Sequence, residues 1–136
     1  MPDVPARPTL DLLVGVQRMP PAAAALGVLA DIGYEDCGEA GTEGRTYLRR
    51  RGRARIDLHV VEYGGGLWLD ALTLRDYLRR HPGEALRWGT LKREAARTAP
   101  TSAHRYADLR RLALEDMIER AHRERGTTAQ SAQRAA

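Results

Sequence analysis

The sequence predicts an α+β fold, with a small mixed sheet first and a C-terminal helical subdomain packed on it. Three observations carry this expectation. Strand-length runs lie at residues 8–16, 45–50 and 55–62, and only one helical pattern, residues 22–32, separates the first from the second. From residue 68 onward the apolar residues recur at helical intervals instead of alternating. Prolines and glycines then punctuate that second half into three stretches. The resulting order is strand, helix, strand, strand and three helices.

Each element has its own reason. Residues 8–16 are nearly continuously apolar, as in a strand covered on both faces, with Asp11 as the exception. Pro20-Pro21 can open a helix, because proline at the first helical position forfeits no bond. Leu26, Leu29 and Ile32 share its face, and Gly33 stops it. Residues 35–44 are acidic and glycine-rich, hence a loop. Residues 45–50 and 55–62 form a hairpin through Arg51-Gly52-Arg53, and Gly64-Gly65-Gly66 is a connector without phosphate-loop spacing. Helices follow at 68–80, with Trp68, Leu69, Leu72 and Leu78 on one face, and at 82–97, with Leu86, Leu91 and Ala95 inward. After Ala99-Pro100 a third helix carries Tyr106, Leu109, Leu112, Leu114, Met117 and Ile118. Residues 126–136 lack large apolar side chains and read as a tail, leaving 1–125 as a single domain.

Composition bounds the function. The chain has 136 residues, enough for one domain with a real core. With 43% hydrophobic and 29% charged residues it is globular. The net charge of +4 favours anionic partners. The basic residues are scattered, apart from Arg49-Arg50-Arg51-Gly52-Arg53. That cluster reads as a solvated hairpin tip, with a phosphate-contacting loop as the alternative. Nucleic-acid binding is not expected, since no aromatic strand platform or helix-turn-helix pattern is visible. Cys37 is the single cysteine, which excludes an internal disulfide and a cysteine-built zinc site. No apolar run is long enough for a membrane span and no signal peptide is visible, so the expected location is the cytoplasm.

The candidate chemistry lies on the last strand. Alternation places Asp57 and His59 on the face opposite Ile56, Leu58 and Val60. A buried acid needs a partner, so Asp57, His59 and Asp11 are expected to share a cleft. Such a set could work as an acid–base pair, or the carboxylates of Asp11 and Asp57 could hold a divalent cation, Mg2+ being the natural one. Otherwise Asp11 caps a turn and Asp57 pairs with a structural arginine. Arg75 and Arg79, four apart on one helix, can grip phosphate or carboxylate oxygens; alternatively Arg75 salt-bridges an acid and Tyr77 is core. Arg45 and Lys92 are further cation candidates. His81 reads as a capping residue, and His104 and His122 as solvated.

Several of these residues sit in longer matching strings. Gly44-Arg45-Thr46-Tyr47, Leu58-His59-Val60-Val61-Glu62 and Arg75-Asp76-Tyr77-Leu78-Arg79-Arg80-His81-Pro82 together resemble the GrpB family. Leu91-Lys92, Tyr106 with Arg110, and Val4-Pro5-Ala6-Arg7-Pro8-Thr9-Leu10-Asp11-Leu12 extend the resemblance from about residue 4 to about residue 122. It implies a nucleotidyltransferase-like fold and the handling of nucleotides or other phosphorylated small molecules. A similar domain occurs fused to dephospho-coenzyme A kinases. Three departures bear on the reaction. The family's Gly-Ser segment would precede Val4-Pro5, and this sequence starts at Met1-Pro2-Asp3. Asp11 is followed two residues later by Leu13, where superfamily enzymes carry a second acid. The family's His-His-Leu-His strand reads Ile56-Asp57-Leu58-His59. Standard nucleotidyl transfer is therefore not expected, although transferase chemistry of another kind stays open.

Two readings follow. In the first, the protein is an enzyme acting on a small anionic, nucleotide-like or phosphorylated metabolite. Asp57, His59 and Asp11 are then catalytic, and Arg45, Arg75, Tyr77, Arg79 and Lys92 bind the ligand. In the second, it is a non-catalytic module for a nucleotide, a coenzyme A-like ligand or a partner protein. Without the family's first strand, residues 8–16 would form an apolar sheet edge, so a homodimer or larger homo-oligomer is expected.

Overall fold

In a computed structural model, residues 9–52, 54–98 and 103–134 are described, with side chains left out of description at 92, 95–98, 103–110 and 128–134. The chain divides into two compact units, a sheet unit ending at Leu69 and a helical unit starting at Asp70. The sheet unit contains β1 (Thr9–Val16), α1 (Ala23–Asp31), β2 (Tyr34–Asp36), β3 (Thr46–Arg50) and β4 (Arg55–Glu62). The unit boundary falls inside α2 (Gly66–Arg80), which leads into α3 (Pro82–Thr98) and α4 (Ala103–Arg134). The α+β expectation holds.

The four strands run in the order β1-β4-β3-β2. β1 is parallel to β4, and β2–β3 and β3–β4 are antiparallel, so the sheet is mixed. Alternation sorts its faces. One face carries Leu48, Leu58 and Val60, packed with Leu26 and Leu29 of α1 and with Val16, Met19 and Tyr34. Leu48, only 1% exposed, is the centre of that layer. On β1, Leu10, Leu12 and Val14 of the same set are exposed, contrary to a strand covered on both faces. The opposite face carries Asp11 and Leu13 beside Asp57 and His59, with Tyr47 and Arg49 on β3. Gly15 lies at the end of that face, where an added Cβ would come within 2.9 Å of the Trp68 ring. A larger residue there would overpack the corner.

Element boundaries differ from expectation where local signals compete. Pro20-Pro21 stand before the helix, whose N-cap is Ala22. Gly33, at φ 91°, ends α1 as expected. β2 occupies residues read as loop. Only three residues pair there, too few for alternation to reveal.

The helical unit has its own core of Tyr77, Leu78, Ala85, Met117 and Ala121, lined by Leu74, Trp88 and Leu114. Leu86, expected inward, is 52% exposed, and its neighbour Ala85 takes the buried position. Carboxylates also tie α2 to α4. Glu124 accepts from Arg80 at 3.0 Å and meets His81 Nε2, while His122 Nε2 lies 2.6 Å from Asp70 Oδ1. His81 is thus an interhelical pairing residue, and His122 is paired, not simply solvated. α4 continues as helix through residues 126–134, which composition assigned to a tail. The alanines and glutamines of that stretch are good helix formers, which offsets the missing apolar face.

Candidate functional site

The site is built on the face of the sheet opposite α1, by residues two apart on two paired strands. β3 contributes Tyr47 and Arg49; β4 contributes Arg55, Asp57 and His59; Tyr47 is the ladder partner of His59, and Arg49 of Asp57. β1 adds Asp11 beside Asp57 in the parallel register. Arg45 stands just before β3 on the same alternation.

Tyr47 is the hub. It is buried, 7% exposed, and its hydroxyl accepts from Arg55 Nη2 at 2.9 Å and from Arg49 Nε at 3.3 Å. Its ring stacks on His59 with centroids 5.2 Å apart, and the Arg45 and Arg49 guanidiniums lie over that ring at 5.4 and 5.5 Å. Cation–π placement of this kind adds to the hydrogen bonds without using donors.

Asp57 is the buried acid, with a side chain 10% exposed, and Arg55 Nε donates to its Oδ1 at 2.8 Å. The Arg55 hydrogen bond holds this carboxyl below its ordinary range against the opposing effect of burial, with the Tyr47 hydroxyl adding to the lowering. Asp57 is therefore ionised at neutral pH and positioned as an anchor for Arg55. The shift of Arg55 is reciprocal: its hydrogen bond to Asp57, then that to Tyr47, raises its pKa.

His59 is the half-buried group of the face, at 26% exposure. Its Nδ1 lies 3.4 Å from Arg45 Nη1, and its Nε2 lies 3.5 Å from Asp11 Oδ1. A guanidinium only donates, so Nδ1 must accept and the ring proton sits on Nε2, facing Asp11. Arg45 is otherwise engaged with the carbonyl oxygens of Glu39 and Ala40, at 3.0 and 3.1 Å from Nη2. Burial lowers its pKa. Arg45 thus braces the 39–45 loop and meets the imidazole at Nδ1.

The other expected site residues lie outside the sheet unit in sequence. Arg75, Tyr77 and Arg79 belong to the helical unit. Arg75 donates to the adjacent Asp76 at 2.8 Å, Tyr77 is buried in the helical core against the His81 ring at 4.4 Å, and Arg79 is exposed. Of the two readings weighed for this helix, core placement is what Tyr77 shows. Lys92's side chain lies outside the described residues. The Mg2+ expectation for Asp11 and Asp57 also meets an obstacle. The Asp57 carboxylate is occupied by a guanidinium, and among the described residues no group of three His, Cys, Asp or Glu side chains could hold a metal. The donor set does not fit a divalent cation.

Sequence reasoning did not single out Arg55, and named Tyr47 only within a family string and Arg49 only within the basic cluster. The signal existed: extending the β4 alternation back by two reaches Arg55, and pairing the hairpin opposes Arg49 to Asp57.

Acid titration reports the anchor. Because the Asp57 pKa is lowered on folding, the unfolded chain binds the extra proton; this contribution is full above the unfolded pKa and is lost as pH falls through the folded one. The stability gap between wild type and Asp57→Asn, measured by urea unfolding, should therefore narrow as pH falls below about 4. A gap that stays constant from pH 7 to pH 2 would contradict it.

Comparison with known proteins gives the chain its relatives. Residues 1–120 match the family model described as GrpB protein. The chain is 32% identical over 107 residues to the UPF0157 protein YqkA of Bacillus subtilis (strain 168), covering 78% of this chain and 31% of that protein. It is 27% identical over 122 residues to the glutamate-rich protein GrpB of Alkalihalophilus pseudofirmus, covering 85% of this chain and 70% of that one. The chain thus spans under a third of YqkA and over two thirds of the second relative. The crystal structure of conserved protein GrpB from Enterococcus faecalis superposes with a TM-score of 0.68 at 29% identity, covering 88% of this chain and 74% of that one. The nucleotidyltransferase-like superfamily is consistent with these matches. With a family model covering most of its length and a solved relative sharing its fold, the chain belongs to the GrpB family.

Proposed function

We propose that this GrpB-family protein acts on a small anionic metabolite, phosphorylated or nucleotide-like, at the Tyr47 face of its sheet. One observation supports the reading above the others. Arg45 meets the partly exposed His59 imidazole, and Arg49 and Arg55 donate to the hydroxyl of Tyr47 stacked beside it, on a face where the buried carboxylate, Asp57, is already held by Arg55. The unused guanidinium donors of Arg49 and Arg55 suit an anion, and His59 supplies the group that can move a proton.

The roles follow from the contacts. His59 handles the proton at Nε2, oriented by Arg45 at Nδ1 and assisted by Asp11. Asp57 holds Arg55 in place. Arg75 and Arg79, on the helical unit, are kept as candidates for binding an anionic ligand there. Metal-dependent nucleotidyl transfer is not part of this reading, because the Asp57 carboxylate is held by a guanidinium.

A second reading, a ligand-binding module without turnover, is favoured by one fact. Asp57 is committed to an ion pair, so the site has one proton-handling group where acid–base chemistry commonly uses two. The protein is further proposed to self-associate. β1 pairs only with β4 among the described strands and exposes Leu10, Leu12 and Val14 beside that edge. Among the described residues no helix is long and apolar enough to cross a membrane.

Thermal-shift screening with phosphorylated metabolites, nucleotides and coenzyme A derivatives identifies the ligand class. With a stabilising ligand in hand, His59→Ala should lose turnover by at least about 100-fold, the usual scale of a general acid–base contribution, while still binding. Turnover unchanged in His59→Ala would reject the enzyme reading, and binding without turnover in wild type would select the module. For self-association, light scattering after size exclusion should give a dimer mass or larger, and Leu12→Asp should shift it to the monomer. A monomer in wild type at tens of micromolar would contradict the edge proposal.

A further inference from the structure

The unusual feature of the face is two guanidiniums on one phenol oxygen. A tyrosine hydroxyl has one hydrogen and two lone pairs. Arg49 and Arg55 use both lone pairs. Bringing two cations to one atom is unfavourable unless charge nearby compensates it, and Arg55 opposes the protonated form of Arg49, an effect outweighed by the Arg49 hydrogen bond to Tyr47. Asp57 compensates one of them, through Arg55 Nε. Among the described residues Arg49 has no carboxylate partner.

The donors left over define what fits. Arg55 turns Nε and Nη2 toward Asp57 and Tyr47, which leaves Nη1 without a partner among the described residues. Arg49 uses only Nε, so both its terminal nitrogens are left. Together they offer several N–H groups in two planar forks whose orientation is fixed by one shared oxygen. Guanidinium forks of this kind match the oxygens of a tetrahedral oxyanion. The held geometry also lowers the entropy lost on binding.

The register sets the distance to the rest of the site. Arg49 faces Asp57 across the ladder and Tyr47 faces His59, one two-residue repeat further along. That repeat is about 7 Å. The guanidinium forks, gathered on the Tyr47 hydroxyl, therefore stand next to the rung that carries the imidazole.

We propose that Arg49 and Arg55, held by the Tyr47 hydroxyl, form a phosphoryl subsite for a small phosphate ester whose reacting group lies at His59, on the neighbouring rung of the ladder. The subsite deepens the reading of this face as a small-anion site and rests on it for the role of His59, but phosphate binding itself does not require His59. For Arg49 the proposal takes the phosphate-contacting alternative of the basic cluster over the solvated hairpin tip.

Isothermal titration of the full chain with inorganic phosphate, against chloride at equal ionic strength, tests the subsite. Wild type should bind phosphate, Arg49→Gln should weaken it at least tenfold, and His59→Ala should bind as wild type does. Arg55→Ala would leave Asp57 buried and unpaired, so Arg55→Lys, which keeps the charge and removes the fork, is the second variant and should also weaken binding. Circular dichroism melts confirm that each variant folds, and if Arg49→Gln does not, Arg49→Lys replaces it with the same expectation. No phosphate binding by wild type, or wild-type affinity in the Arg49 variant, overturns the subsite. Arg49-dependent phosphate binding together with turnover unaffected by His59→Ala would keep the subsite and reject the enzyme reading.

Discussion

The face depends on satisfying one buried phenol. Tyr47 is nearly excluded from water, and its hydroxyl must be hydrogen-bonded where it lies. Arg49 and Arg55 provide the donors, and Asp57 fixes Arg55. The same ring, through its π-face, stacks on His59 and lies beneath the Arg45 guanidinium. A register slip of one residue between β3 and β4 would send all of these side chains to the opposite face, against α1. The polar network therefore specifies the pairing as firmly as the Leu48–Leu58–Val60 layer does on the other side.

This arrangement changes the chemistry that the acids suggest. Two carboxylates in neighbouring strands invite a metal, yet the buried one already has a guanidinium as its counter-charge and only the exposed one, Asp11, is turned to the imidazole. The counter-charge decides which ligand is attracted: with the buried acid already matched, the unused guanidinium donors of Arg49 and Arg55 favour an anion. Arg45 takes a different part. Its hydrogen bonds to the Glu39 and Ala40 carbonyls and to His59 make it a brace between loop and imidazole. In the helical unit the arginines and histidines have another task, joining α2 to α4 through Glu124, Asp70 and Thr73.

The sequence made much of the fold legible because its periodicities are local. β4 emerges at residues 55–62 as expected, since alternation over eight residues is a strong signal. β2 escaped because it is three residues long, and α4 runs on because alanine and glutamine favour helix without an apolar face. The shared face of Asp11, Asp57 and His59 was also legible from alternation and the cost of burying an acid. Tyr47, Arg49 and Arg55 were not, because their meeting depends on register across a hairpin. Tyr77 was offered as both ligand residue and core, and only packing could separate the two.

Tyr47→Phe is the most direct test of the idea that one phenol oxygen organises the anion site. It removes that oxygen alone, keeps the ring against His59, and leaves the Arg55–Asp57 pair in place. The expected result of phosphate titration is a loss of affinity of at least tenfold, in a variant that still melts cooperatively and keeps the ring-shifted His59 resonances. Wild-type phosphate affinity in Tyr47→Phe would contradict the account.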